Sequence, residues 1–215
     1  MSDAATLTPL ELSALLCSRV CHDVISPVGA ITNGLEVLAE DDGEEMKQFA
    51  MELITKSATQ ASAKLQFARI AFGAAGSAGA EIDLGDARNV AEGYMAGEKA
   101  NLTWEAERVL MPKNLVKLLL NLLVVSIGTV PRGGEIRLTV EGPAAKPNFR
   151  LVCSGPNARI PAGLLDLLAG SSGEHAIDAH VIQPVYTGLL ARECAMAIEI
   201  AADGEDIVVS ADAKD

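Results

Sequence analysis

Between Thr8 and Glu40 the apolar residues return at steps of three and four: Leu12, Leu16, Val20, Val24, Val28, Ile31, Leu35 and Leu38. Only a period near 3.6 gathers such a series onto one face, so this stretch is committed to a long amphipathic α-helix. Its start is written in Thr8-Pro9-Leu10-Glu11. Thr8 serves as N-cap, Pro9 takes the first helical position where its missing N–H costs nothing, and Glu11 stands three residues after the cap. Pro27 falls inside the helix and is expected to bend it. Asp41-Asp42-Gly43 ends it, and a second helix, Glu44 to Phe72, carries its own seam of Phe49, Leu53, Ala61, Leu65, Ala68 and Phe72. So short an acidic turn makes the pair an antiparallel hairpin.

Gly73-Ala-Ala-Gly-Ser-Ala-Gly79 reads as a flexible linker, with residues 73–80 dividing the hairpin, 8–72, from a second domain, 81–212. That domain alternates helical and strand patterns. Helices are expected at Asp86 to Gly97, Pro112 to Thr129, Pro161 to Leu168 and Thr187 to Ile200. Strands are expected at Leu102 to Ala106, Glu135 to Glu141, Asn148 to Cys153 and Asp206 to Ala211. Together they predict an α+β sandwich, a mostly antiparallel sheet covered on one face by helices. Gly170 to Ala179 reads as a polar loop, and the lone Trp104 as a core residue.

A net charge of −12 with no Lys/Arg block argues against nucleic acid and against an anionic membrane surface as partners. The apolar run Leu115 to Val130 is interrupted by Lys117, Asn121 and Ser126, too short and too polar to span a bilayer. Cys17, Cys21, Cys153 and Cys194 form no CxxC pair, and the opening MSDAATLTPLELSALL has no basic n-region or cleavage site, which leads us to expect a reducing cytoplasm. Cys17, Cys21 and His22 have no third or fourth metal ligand nearby, so they are read as free thiols beside a histidine, with no metal.

His22 stands two residues from Val20 and two from Val24, which places it about 200° around the helix from the apolar seam. Arg19, Ser26, Gly29 and Asn33 continue the same polar stripe, and the small residues below the histidine would let a partner's backbone come close. A neutral imidazole is a nitrogen nucleophile at physiological pH. The adjacent carboxylate of Asp23 can hold one tautomer and leave the other nitrogen free to attack a phosphoryl group. A lone helix histidine is ordinarily a surface residue without a task, and His175 and His180 are read that way, as solvent-exposed loop residues. The residues around His22 change the weight.

His22-Asp23-Val24-Ile25-Ser26-Pro27 resembles the H-box of the two-component histidine kinases: His, acid, two variable residues, Ser or Thr, Pro. The whole of 8–72 looks like a dimerisation and histidine phosphotransfer hairpin. Two such hairpins would cover each other's apolar surface in a four-helix bundle with twofold symmetry, making the chain a homodimer. The second domain resembles the kinases' ATP-binding domain of GHKL (Bergerat-like) type, with Leu118 to Ser126 as the N-box helix and Val130 to Ile136 as the turn after it.

Departures from that pattern carry the functional reading. The Mg²⁺-holding asparagine of the N-box falls on Val125, while Asn121 occupies an earlier position. The adenine-reading aspartate of the first glycine box falls on Cys153; Gly155 is kept, and the next glycine falls on Asn157. Of the second box only Gly188 survives. A domain without the metal ligand, the adenine acceptor and the close-approach glycines should not bind ATP. This combination resembles the ChpT-type histidine phosphotransferases of alphaproteobacteria, and the resemblance covers nearly the full chain. It implies a phosphorelay. His22 would take phosphate from the receiver aspartate of a hybrid histidine kinase and pass it to response-regulator receivers, such as those of the cell-cycle regulators CtrA and CpdR. The chain would need no cofactor of its own, because the receiver supplies the Mg²⁺. Two alternatives compete: an autokinase with an unusual nucleotide site, and a dimeric scaffold that binds receivers without chemistry.

Overall fold

The computed structural model describes residues 7–40, 43–73, 80–171 and 177–214. Most of the expected linker, the acids Asp41 and Asp42, and His175 lie outside these residues.

Helix α1, Pro9–Ala39, begins as its sequence requires: the Thr8 hydroxyl accepts from the Glu11 backbone N–H and the Glu11 side chain returns to the Thr8 backbone. It continues unbroken through Pro27, which is buried. Helix α2, Glu44–Ala71, packs back along it. Close approach is permitted at Gly34, where a Cβ would stand 2.6 Å from Ile54 Cγ1 and 3.2 Å from the Ala50 carbonyl oxygen. Within one chain the expected seam is only partly covered. Pro27 and Gly34 are the buried residues of α1, while Val28 and Leu35 remain 45% and 54% exposed and Phe49 of α2 remains 62% exposed. By length and composition α1 is apolar enough to cross a membrane. Its polar stripe and its packing along α2 make it half of a hairpin.

The second unit is built on a five-stranded sheet in the order β2-β4-β5-β7-β6. These strands are β2 (Ala100–Glu105), β4 (Gly134–Glu141), β5 (Asn148–Ser154), β6 (Met196–Asp203) and β7 (Asp206–Ala213). Only β2 and β4 run parallel; the other neighbours are antiparallel. Residues of β4 and β5 alternate. Ile136, Leu138, Phe149, Leu151 and Cys153 are fully buried, whereas Glu135, Arg137, Asn148 and Arg150 face solvent. Helices α3 (Leu84–Met95), α4 (Lys113–Ile127), α5 (Leu164–Ala169) and α6 (Ile182–Glu193) complete the core. Helix α4 is buried along almost its whole length, and Trp104 is a core residue. This is the expected α+β architecture of a helical hairpin followed by a sandwich. Two short strands that the sequence did not suggest, β1 (Glu81–Asp83) and β3 (Leu110–Pro112), pair antiparallel at the entrance to the domain.

One expected helix is corrected. Thr187 to Ile200 is not continuous: α6 ends at Glu193, Ala195 takes a positive φ of 51°, and β6 follows from Met196. Met196, Ile198 and Ile200 alternate with Ala197 and Glu199, a period of two that the Ala-rich composition disguised as helix. Gly204, with φ of 63°, turns β6 into β7 as a hairpin.

Gly188 of α6 lies directly against the Leu168 carbonyl of α5, leaving no room for a Cβ. Gly188→Ala should therefore lower the stability of the chain by about 1–3 kcal/mol, the usual cost of overpacking. A urea melt followed by circular dichroism checks this, with a clear fall in midpoint as the expected result.

Candidate active site

His22 occupies the exposed side of α1, with its ring open to solvent on one side. On the other side it meets His180, the ring centroids 5.3 Å apart and the planes tilted by 47°. His180 precedes α6 and is held by its own turn: the Asp178 carboxylate accepts from the backbone N–H of His180 at 2.8 Å and of Val181 at 3.2 Å. Those two bonds hold the Asp178 carboxyl below its ordinary pKa. Ile182 and Gln183, immediately after, are buried. His180 is exposed, as expected, yet it is placed against the residue on which the sequence reading turns.

Asp23 accepts a hydrogen bond from Arg19 Nε at 3.1 Å, an i,i+4 ion pair with both side chains partly covered. The pair faces a cleft of about 450 Å³ between the hairpin and the second domain, which Lys64, Tyr94, Val125, His180 and Gln183 also line. Tyr94 is buried and stacks on Phe67 at 4.3 Å. Burial pushes its phenol up to about 12, with Asp23 and Glu98 adding to the rise and Arg19 opposing it. Arg19 is thus turned into the cleft. Ser26, Gly29 and Asn33 are exposed below His22, and a Cβ on Gly29 would meet nothing within 4 Å. Ile25, 69% exposed, stands among them.

The residues that the sequence resemblance sets at nucleotide-motif positions make the following contacts. Asn121 is fully buried: its amide donates to the Ala71 carbonyl at 3.0 Å and to the Lys117 carbonyl at 2.7 Å, and its oxygen accepts from the Gln183 amide. Val125 is buried at the wall of the cleft. Cys153 is buried in the sheet, where desolvation raises its thiol pKa. Gly155 lies against the Gly133 carbonyl and Gly188 against that of Leu168, both too close for a Cβ. Asn157 takes a positive φ of 58°, and in the amide orientation that satisfies both groups its oxygen accepts from the Arg132 guanidinium at 2.9 and 3.0 Å.

The sequence did not place His180, Tyr94, Lys64 or Ile25 beside His22 and its cleft. The first three come from other elements and nothing in their local pattern points to His22. Ile25 was readable as an apolar residue three positions after the histidine, off the seam. Tyr94 gives a test of the cleft. Below pH 10, the ordinary value for its phenol, both folded and unfolded forms are neutral and the burial carries no penalty. From pH 10 to about 12 the unfolded state ionises first and stability is lost. The wild type should therefore lose about 2 kcal/mol more than Tyr94→Phe across that window, as read from urea midpoints at each pH; parallel curves would contradict it.

Three comparisons bear on this site. The family model described as histidine phosphotransferase C-terminal domain matches residues 84–206. The protein phosphotransferase ChpT of Brucella abortus (strain 2308) is 56% identical over 212 residues, spanning 99% of this chain and all of that protein. A solved bacterial phosphotransferase superposes with a TM-score of 0.90 at 53% identity, covering 97% of this chain and 99% of its own. The expected architecture and the phosphotransferase resemblance thus agree with proteins matched along nearly their whole length, and this chain belongs to the histidine phosphotransferase family.

Proposed function

We propose that this phosphotransferase carries the phosphoryl group on His22, taking it from the aspartyl phosphate of a receiver domain and returning it to the aspartate of another. The observation that supports this reading most directly is the exposed His22 imidazole, set in an H-box-like sequence above an open surface at Gly29. In the forward step a nitrogen of His22 forms the N–P bond as the P–O bond to the receiver aspartate breaks. Aspartate leaves as the carboxylate, and the proton already on the other ring nitrogen stays there. The transferring group has a loose transition state, so the chemistry asks mainly for alignment and charge neutralisation. The receiver's Mg²⁺ supplies the latter, and this chain brings no metal or nucleotide. Val125 and Cys153, which the sequence resemblance sets at the metal-ligand and adenine-acceptor positions of a kinase, are buried apolar side chains, and this supports a phosphoryl donor other than Mg-ATP.

Asp23 is engaged by Arg19, and on this reading its carboxylate, next in the chain to His22, keeps the ring oriented. The receiver docks on α1 below His22, over Ser26, Gly29 and Asn33 with the apolar Ile25 among them. Arg19 reaches it from the cleft side. On this reading the chain's partners are receivers of response regulators and of a hybrid histidine kinase, such as those of the cell-cycle regulators CtrA and CpdR, in a cytoplasmic relay. Val28, Leu35, Met46 and Phe49 remain exposed on the hairpin, and a second copy covering them makes the homodimeric four-helix bundle. Light scattering at micromolar concentration should give twice the chain mass; a monomer would contradict the bundle.

His22→Ala should abolish phosphoryl uptake from a phosphorylated receiver while changing stability by less than about 0.5 kcal/mol, because the residue is exposed. Asp23→Asn should slow uptake by about a hundredfold, the low end for an orienting group. Gly29→Trp should slow transfer and leave the dimer intact, since the added side chain projects into open space. Rapid-quench transfer rates check all three, and an unchanged rate for Gly29→Trp would move the docking face elsewhere.

A further inference from the structure

We propose that His180 is a positioning residue for the phosphorylated state: it donates an imidazole N–H to the phosphoryl oxygens on His22 and prolongs the life of the phosphohistidine. This rests on His22 as the phosphoryl carrier. The two rings are 5.3 Å apart between centroids, within the range of packed aromatic pairs, and a phosphoryl group adds atoms to the edge of one of them.

The approach comes from the fold. Asp178 caps the turn by accepting from the backbone N–H groups of His180 and Val181. Ile182 is fully buried, and the Gln183 amide donates to Asn121, whose own amide donates to the Ala71 carbonyl at the end of α2. His180 is therefore carried on a segment pinned to the hairpin that bears His22, with buried anchors on its C-terminal side. Phosphorylation places close to two negative charges on a chain that already carries −12. Nearby, Arg19 is engaged by Asp23. Among the described residues His180 is the other imidazole, and it lies against the ring that is modified.

The chemistry follows from the loose character of phosphoryl transfer. Hydrolysis of phospho-His22 breaks the N–P bond, water supplies the new P–O bond, and the ring is regenerated with inorganic phosphate released. Expulsion of the imidazole draws electron density from the three phosphoryl oxygens. A donor hydrogen-bonded to those oxygens holds that density in the ground state and slows the loss. Transfer to a receiver escapes this brake because the receiver's Mg²⁺ takes over the oxygens. The second domain, no longer a nucleotide-binding unit, then keeps a direct hand on the phosphohistidine.

The test uses phosphoramidate, a small donor that phosphorylates histidine without any receiver, on the full chain and on His180→Ala, His180→Phe and His180→Gln. Phosphorus NMR reads the chemical shift of phospho-His22 and its rate of decay. Hydrogen bonds to charged groups are strong enough that Ala and Phe should decay about tenfold faster than wild type, with a displaced signal. Gln, which keeps an N–H donor, should recover most of the lifetime. Equal lifetimes and shifts in all four fully labelled proteins would overturn this proposal alone. A wild-type lifetime in the Phe variant would also overturn it, by showing that ring packing suffices. Failure of wild-type His22 to take label would bring down the parent reading as well.

Discussion

The arrangement depends on one buried amide. Asn121 has no solvent, so each of its polar atoms must find a partner or cost the chain the full desolvation of that group. It finds the Ala71 carbonyl at the end of α2, the Lys117 carbonyl in its own helix, and the Gln183 side chain near the start of α6. Three elements from two structural units are thereby fixed to each other. The consequence reaches the surface: the turn before α6 is held close to α1, and His180 meets His22. The cleft that the Arg19–Asp23 pair and Tyr94 line exists because the second domain is seated this way.

Two glycines of the second domain are required by the packing itself. Gly155 abuts the Gly133 carbonyl and Gly188 abuts that of Leu168, and neither place admits a side chain. Cys153 and Val125, by contrast, are buried among the apolar side chains of the same core.

Much of the frame was legible. The cap at Thr8, the seam through Leu38 and the second helix from Glu44 rest on local geometry, and local geometry is what a sequence states most directly. The alternation in β4 and β5 was equally plain, because one face of that sheet is buried and the other is wet. Reading failed where two periods overlapped, at Thr187 to Ile200, and where strands were three residues long, at Glu81 and Leu110. At the site, His22 declared itself through its neighbours in the chain. His180 did not, because its significance comes from a contact 158 positions away in sequence. The pairing of Arg19 with Asp23 was available as an i,i+4 relation. Its burial against Tyr94 depended on the second domain and was not.

The central claim is that His22 carries phosphate that arrives from an aspartyl phosphate and not from ATP. The most direct measurement maps phosphate to a residue by electron-transfer mass spectrometry after two parallel incubations of the full chain, one with a phosphorylated receiver domain and one with millimolar Mg-ATP. The account predicts phosphate on a nitrogen of His22 in the first sample, labile to acid, and none in the second. Phosphate on His22 from Mg-ATP alone, or receiver-derived phosphate on any other residue, would contradict it.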